Sequence, residues 1–286
     1  MPTKLTPSAK ARDPVGAIRE IDLADQGRLI IHQVGHDADA RAEIVCFASL
    51  GRESSDFNEL ALALSDAGYA VSLVEGPFLN RAMPSAEAPS LFDLADDVAA
   101  YLRDRPEPVF VLGHAFGNRL ARAVTARHPD LVRGVILIAA GGLKPIERKA
   151  ARALMSCFDA DLEADAHAAA VRYGFFADAN TVPDYWLCGW HARTAQIQRH
   201  ATQSVESADW WAANGKPMLV IAAEQDRIAP PEDTVDLLAA EFPDAITAVR
   251  IGAAGHALLP EQPEQIAAAT LRWLEQQTGA EAGAPN

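Results

Sequence analysis

Short apolar runs alternate with amphipathic stretches along most of the chain. The first two runs, 17–23 and 28–34, predict an antiparallel hairpin, because turn-forming residues separate two strand-like segments. Later runs are suited to buried strands, and the segments between them have apolar residues at helical spacing. Strands are predicted at 44–48, 69–74, 109–112, 132–140, 217–223 and 246–251, and helices at 55–66, 91–102, 116–128, up to 241 and at 263–277.

This alternation predicts an α/β fold with a doubly wound, mainly parallel sheet. It stops at 141–209, a segment rich in alanine and aromatic residues with no strand-like run of its own. We therefore expect a core built from 17–140 and 210–277. The helix at 55–66 is expected to begin at a Ser or Asp cap. A flexible arm at 1–16 and a frayed tail at 278–286 complete the predicted organisation.

The composition is typical of a soluble globular protein, with 49% hydrophobic and 22% charged residues among 286. Its formal net charge of -14 argues against nucleic acid or an anionic membrane as partner, because phosphate binding needs concentrated Lys and Arg. No apolar run approaches the about 18 residues of a spanning helix, and residues 1–13 lack the apolar centre of a secretory signal. We expect a cytoplasmic protein with a small-molecule substrate, and a homodimer is left open.

The cysteines do not indicate a metal site. Cys46, Cys157 and Cys188 have no metal-ligand spacing, and their odd number suits reduced thiols in a cytoplasm. A reactive thiol at Cys188 is the less favoured interpretation, and a buried, inert one is preferred. We expect neither a metal nor an organic cofactor.

The residues from Pro108 to Arg122 combine a buried strand, a tight turn and a helix. Gly113 and Gly117 flank the turn, and Ala115 lies between them. This arrangement closely resembles the nucleophile elbow of the α/β-hydrolase family, and the resemblance covers nearly the whole chain. The motif of that family is Gly-x-Ser-x-Gly. Here alanine occupies the position of the nucleophile.

The resemblance implies an acid and a base for catalysis. Asp226, in Ala-Glu-Gln-Asp-Arg-Ile-Ala-Pro, follows a buried strand where the family places its acid, and His256, in Ala-Ala-Gly-His-Ala-Leu-Leu-Pro, follows the last strand where the family places its base. Strand ends on one edge of a parallel sheet converge, so both loops should meet above the elbow. An Asp at a strand end is otherwise commonly a turn residue, and a lone His is usually ordinary. Their joint occurrence at these positions favours a catalytic pair.

The remaining site residues also follow from the resemblance. The oxyanion donors would be the backbone N–H groups of Phe116 and Leu50. In the loop that would supply the second donor, the family often has His-Gly, and the Ser-Leu-Gly-Arg of this chain, which contains Leu50, departs from that pattern. The insertion at 141–209 would form a helical cap over the site. Weaker predictions for the substrate pocket are Phe78, Trp186 and Trp190, since aromatic clusters are more often core than pocket.

Three hypotheses are compatible with Ala115. The chain is a serine hydrolase in which Ser is replaced by Ala, acting in its serine form on an ester, thioester, lactone or amide of a small, largely apolar molecule. Alternatively, the alanine is native, and His256, oriented by Asp226, is a general base in hydrolysis, lyase or cofactor-free chemistry. The third hypothesis is a non-catalytic protein that binds a small ligand. The presence of both a carboxylate and an imidazole argues mildly against the third.

Overall fold

The computed structural model describes residues 6–23, 27–75 and 89–279. A sheet lies at the centre of this part of the chain. Its strands agree with the predicted runs to within a few residues at each end. They are β1 (Ala17–Asp22), β2 (Arg28–Val34), β3 (Glu43–Phe47), β4 (Ala70–Val74), β5 (Val109–His114), β6 (Val132–Ile138), β7 (Met218–Ala223) and β8 (Ile246–Ile251).

The strands are arranged in the order β1-β2-β4-β3-β5-β6-β7-β8. The predicted hairpin is present: β1 pairs with β2 antiparallel, and β2 also runs antiparallel to β4. Every pair from β4 onward is parallel. The prediction of a doubly wound, mainly parallel α/β fold is therefore confirmed.

Helices cover both faces of the sheet because successive strand residues point to opposite sides. In β3, Val45 and Phe47 belong to one core cluster, while Ile44 and Cys46 belong to the other. Helices α2, α3 and α7 pack on the first face, and α1 and α8 on the second. The described helices are α1 (Asn58–Asp66), α2 (Leu91–Leu102), α3 (Phe116–Arg127), α4 (Arg148–Ser156), α5 (Ala164–Phe175), α6 (Ala192–Gln203), α7 (Val235–Glu241) and α8 (Pro263–Gly279).

Helix α2 begins where its sequence predicts. The Ser90 side chain accepts a hydrogen bond from the Asp93 backbone at 3.1 Å, and the Asp93 carboxylate accepts one from the Ser90 backbone at 2.8 Å. This capping box gives partners to two backbone N–H groups at the start of the helix that have no carbonyl acceptor within the helix. The buried face of the helix then consists of the apolar residues predicted for it, Leu91, Leu94, Val98 and Leu102.

The predicted cap of the helix at 55–66 is wrong. A 3-10 turn covers Ser54–Phe57, α1 follows at Asn58, and no side chain caps either one. The reason is that the Asp56 carboxylate is engaged elsewhere, accepting hydrogen bonds at 2.9 and 2.7 Å from the buried guanidinium of Arg52. A buried charge needs this partner more than the helix needs a cap.

The expected flexible arm at 1–16 is wrong for residues 6–16, which are docked on the rest of the chain. The backbone N–H of Gly189 donates to the Ala9 carbonyl at 2.7 Å, and that of Trp190 to the Pro7 carbonyl at 2.9 Å. Arg12 forms an ion pair with Glu59, with a second oxygen accepting at 2.7 Å. Residues 1–5 lie outside the described part of the chain.

The end of the chain also differs from its prediction. Helix α8 continues through Gly279, so residues 278 and 279 are helical rather than part of a frayed tail. The remainder of that predicted tail, 280–286, lies outside the described residues. Among the described helices, none is long and apolar enough to cross a membrane.

The segment 141–209 contains α4, α5 and α6 and no strand. It has a small core of its own, in which the aromatic residues Phe175, Phe176, Trp186 and Trp190 are almost fully buried. Ile228 and Ala257, from the loops after β7 and β8, belong to the same cluster. The segment is therefore packed directly onto the loops that carry Asp226 and His256.

Candidate active site

The turn between β5 and α3 is a strained elbow. Ala115 has φ 49° and ψ -106°, a conformation that alanine rarely adopts. Its backbone N–H donates to the Ile138 carbonyl of the neighbouring strand at 3.0 Å, and its own carbonyl accepts from the Asn118 side chain. These contacts on both sides hold the turn in place. The Ala115 methyl group is directed by this backbone into a cavity.

The two elbow glycines are required by close backbone contacts. A Cβ added at Gly117 would lie 2.6 Å from the carbonyl carbon of Phe47, at the end of β3, and 2.9 Å from the Ala48 oxygen. A Cβ at Gly113 would overlap the backbone of Gly117 and Asn118. Glycine at positions 113 and 117 therefore has a specific structural cause.

Asp226 and His256 are in contact. His256 Nδ1 lies 2.8 Å from one oxygen of Asp226, and both residues are almost fully buried. The other Asp226 oxygen accepts backbone hydrogen bonds from Ile228 and Ala229, both at 2.8 Å. With an ionised carboxylate as its partner, Nδ1 carries the proton, so Nε2 is the acceptor nitrogen. Within the described part of the chain Nε2 has no partner, and His256 lines the same cavity as Ala115.

The Asp226 carboxylate is held in its charged form. Burial alone raises the pKa of Asp226, but attraction to His256 and the three hydrogen bonds outweigh this, and the net pKa is lowered. A carboxylate that stays ionised fixes both the ring orientation and the tautomer of His256.

His114 contacts the backbone of His256 and does not line the cavity. It is fully buried, and its Nε2 lies 2.8 Å from the His256 carbonyl oxygen. Burial, assisted by the neighbouring His256, lowers the pKa of His114 to about 3. The ring is therefore neutral at physiological pH, and Nε2–H donates to the carbonyl.

The two residues predicted to supply the oxyanion donors line the same cavity. Leu50 and Phe116 both belong to its wall, and neither N–H has a hydrogen-bond acceptor among the described residues. The loop after β3 is fixed by a residue that the sequence did not indicate: the Gln198 side chain of α6 accepts from the Gly51 backbone at 2.8 Å. Gln198 and Gly51 are far apart in sequence, so no local pattern could reveal this contact.

Glu261 was also missed, and it fixes the loop that carries His256. Its carboxylate accepts from the backbone of Gly255 at 2.7 Å and of Leu258 at 3.2 Å. It also accepts from the Ala177 backbone at 2.8 Å and from the Asn180 side chain at 2.7 Å, both beyond α5. One half-buried carboxylate therefore links the loop that carries His256 to the 141–209 segment.

The cavity has a volume of about 310 Å³, the size of a small organic ligand. Its floor consists of the elbow and the loops after β3, β6, β7 and β8. Residues of α4 and α6, among them Leu154, Met155 and Thr202, form the opposite wall. The segment 141–209 thus encloses the site together with the sheet edge.

The weak pocket predictions were incorrect where they can be compared. Trp186 and Trp190 do not line the cavity but lie behind it, where the Arg52 guanidinium packs over their rings at 4.4 and 4.7 Å from the centroids. Their large apolar surface is used to build the core of the 141–209 segment. The aromatic residue of the 141–209 segment that does reach the cavity is Phe175. Phe78 lies outside the described residues.

No group of three or more His, Cys, Asp or Glu residues able to hold a metal occurs within the described ranges. The three cysteines are free thiols. Cys46 and Cys157 are buried, and Cys188 is half-buried, with a pKa that burial raises. A raised pKa disfavours the reactive thiolate at Cys188.

Comparison with known proteins gives one family and many similar folds. The model of the "Alpha/beta hydrolase family" matches residues 32–269. Carboxylesterase CesB from Bacillus subtilis is 16% identical with a TM-score of 0.70, covering 91% of this chain and 92% of its own. Naproxen esterase from Bacillus subtilis is 16% identical with a TM-score of 0.70, covering 92% and 93%. E-2-(acetamidomethylene)succinate hydrolase is 21% identical with a TM-score of 0.69, covering 91% and 99%. No curated protein sequence matches.

Proposed function

The chain belongs to the α/β-hydrolase family, and we propose that its cavity is an acyl-transfer site for an ester, thioester, lactone or amide of a small, largely apolar molecule. Family and neighbouring structures are hydrolases, and the printed names of the neighbours include carboxylesterases. The proposal assigns Asp226 as the orienting acid, His256 as the base and the backbone of Leu50 and Phe116 as oxyanion donors. Ala115 occupies the position of the nucleophile.

One observation supports the proposal: His256, which is paired with Asp226, lines the same cavity as Ala115, Leu50 and Phe116. With serine at 115, His256 Nε2 would accept the hydroxyl proton while the oxygen attacks the substrate carbonyl. The two N–H groups would stabilise the negative charge that develops on the carbonyl oxygen. His256 would then protonate the leaving group, and water would release the acyl group.

The chain as written lacks this nucleophile, since a methyl group cannot attack a carbonyl. Loss of one member of such a triad leaves only about a thousandfold to ten-thousandfold acceleration over water. We therefore propose that Ala115 makes the chain an inactivated form of a serine hydrolase. The polar groups around the site do not depend on the missing hydroxyl, because both oxyanion donors belong to the backbone.

A second candidate function is favoured by the unpartnered Nε2 of His256. In the space above the Ala115 methyl group, this nitrogen could activate a water molecule or remove a substrate proton directly. The protein as written would then turn over its substrate, and His256→Ala would abolish turnover. Tight ligand binding without turnover, insensitive to His256→Ala, would instead support the pure binding protein.

Restoring the nucleophile tests the first proposal. Ala115→Ser should gain hydrolysis of activated aryl esters and should become covalently labelled by a fluorophosphonate, with the added mass on the peptide that contains residue 115. In that background, Asp226→Asn should lower kcat by roughly ten-thousandfold, because the imidazole loses its correct tautomer. The chain as written is the matched control for labelling.

The outcomes separate the candidates. Labelling and turnover only with serine at 115 support the inactivated serine hydrolase. Turnover by the chain as written, unchanged by Ala115→Ser, contradicts it and supports general-base chemistry by His256. If a folded Ala115→Ser variant shows neither labelling nor turnover, the acyl-transfer assignment is wrong.

A further inference from the structure

The charge of the cavity is opposite to that of the protein. The whole chain has a formal net charge of -14. The cavity wall nevertheless contains three cationic side chains, Arg119, Lys144 and Arg199, against one carboxylate, Asp233. Lys144 and Arg199 are exposed and lie at its mouth, whereas Arg119 is half-buried. An excess of positive charge inside one concave site of an acidic protein indicates an anionic ligand.

Arg119 differs from the buried arginines Arg52 and Arg122 in having no partner among the described residues. The Arg52 guanidinium binds the Asp56 carboxylate. Arg122 donates to the Gly141 carbonyl at 2.9 Å and to the side chain of Asn118. Arg119 has neither a hydrogen-bond acceptor nor an ion-pair partner within the described part of the chain, and its burial lowers its pKa.

An unpaired, half-buried guanidinium such as that of Arg119 costs folding free energy. Arginine remains protonated in proteins, so the charge cannot be removed by loss of a proton. The neighbouring Arg122 adds repulsion, since the two cations lie one helical turn apart on α3. A bound anion would relieve both the desolvation and the repulsion.

The position of Arg119 sets the size of the ligand. It lies four residues beyond Ala115, which is about 6 Å along the axis of α3. Its Nε lies near Gly142, in the loop after β6 that forms part of the cavity floor. The wall also includes the apolar side chains Leu50, Phe175 and Ile228. A small apolar body with one anionic group therefore matches both the shape and the charge of the site.

We propose that Arg119 is an anion subsite and that the substrate carries a carboxylate within a few bonds of the carbonyl group that is attacked. A carboxylate is the chosen anion because the planar guanidinium fork can bind its two oxygens at once. The proposal rests on the proposed acyl-transfer function, because only then is the bound ligand a substrate. Carboxylate binding at Arg119 can be tested without it.

The kinetic test uses two matched pairs of esters in the Ala115→Ser background. Mono-4-nitrophenyl adipate and its neutral methyl ester place the carboxylate on the acyl part, and 4-acetoxybenzoate and its methyl ester place it on the alcohol part. We expect the anionic member of at least one pair to be preferred in kcat/KM. Arg119→Gln should lower this preference about tenfold to a hundredfold, the range for a charge-assisted hydrogen-bonded pair.

Arg127→Gln is the matched control. It makes the same charge change on the same helix, at a residue 47% exposed and paired with Asp96 outside the cavity. The ratio of anionic to neutral substrate should be unchanged in this variant. A ratio lowered equally by both substitutions would mean general electrostatic attraction and would overturn the subsite.

The binding test uses the chain as written, with monomethyl adipate and dimethyl adipate as probes in calorimetric titrations. Binding of the monoester that is lost in Arg119→Gln but kept in Arg127→Gln supports the subsite, even where Ala115→Ser hydrolyses nothing and the acyl-transfer proposal fails. Equal affinity for monoester and diester overturns the subsite. Hydrolysis of both members of each pair without preference overturns it too, while leaving the acyl-transfer proposal standing.

Discussion

Gly117→Ala should destabilise the protein, although alanine is the better helix former. Gly117 is in the first turn of α3, where exchange of glycine for alanine would ordinarily gain about 0.5–1 kcal/mol. The new Cβ would lie 2.6 Å from the carbonyl carbon of Phe47, where ordinary contacts begin at 3.4 Å. The Phe47 carbonyl oxygen lies closer still, so the helix start and β3 must separate by more than about 0.8 Å at this point.

Neither side of this contact can move freely. Strand β3 is hydrogen-bonded on both sides, to β4 and to β5. The start of α3 is held by the bond from the Ala115 backbone to Ile138. Overpacking of rigid backbone costs about 1–3 kcal/mol and sometimes more. The clash exceeds the gain in helix propensity, and we expect a net loss of about 2 kcal/mol or more.

Urea unfolding of the chain as written measures this loss, with Gly252→Ala as the matched control. A Cβ at Gly252 has no heavy atom within 4 Å, so its free energy of unfolding should change by less than about 1 kcal/mol. Equal stability of Gly117→Ala and the chain as written would refute the argument that backbone contact at the elbow requires glycine.

Two further predictions concern buried side chains that can carry a charge. His114 binds a proton more weakly when folded, with a pKa of about 3, than when unfolded, near 6.5; protonation therefore favours the unfolded chain, and stability should fall as the pH drops from about 6.5 towards 3. Urea unfolding at a series of pH values gives the change in the free energy of unfolding per pH unit, which should be smaller by about 1 kcal/mol in His114→Asn than in the chain as written. Parallel slopes for the two proteins would contradict this. Arg52→Met should cost about 3–5 kcal/mol by leaving the Asp56 carboxylate buried alone, and adding Asp56→Leu should restore most of it; a double variant no more stable than the single one would contradict this.

The elements of the core could be predicted because their patterns are local. The apolar run of β8 and the box formed by Ser90 and Asp93 each contain the information that defines their own bounds. The start of α1 could not be predicted in this way. Asp56 has the chemistry of a cap, and only the fold shows that its carboxylate pairs with a buried Arg52, over which two tryptophans of a distant segment pack.

The same distinction applies to the site. Ala115, Asp226 and His256 are at the ends of parallel strands, so the topology alone brings them to one edge of the sheet. The contacts that fix their loops come from elsewhere in the chain, as Gln198 to Gly51 and Glu261 to Ala177 show. Such pairs are separated by 84 residues or more, and no periodicity relates their positions.

The elbow keeps its strained shape without the side chain that would use it. A non-glycine residue in so sparsely populated a conformation costs about 1–3 kcal/mol and persists only where its surroundings impose it. Here they do, through the bond from Ala115 to Ile138, the Asn118 side chain on the Ala115 carbonyl, and the two glycines that let β3 and α3 approach. None of these contacts involves a hydroxyl group at 115. Serine would therefore enter a backbone already in place, in the cavity that the Asp226-bound ring of His256 also lines, which is why one substitution is a sufficient test of the proposed site.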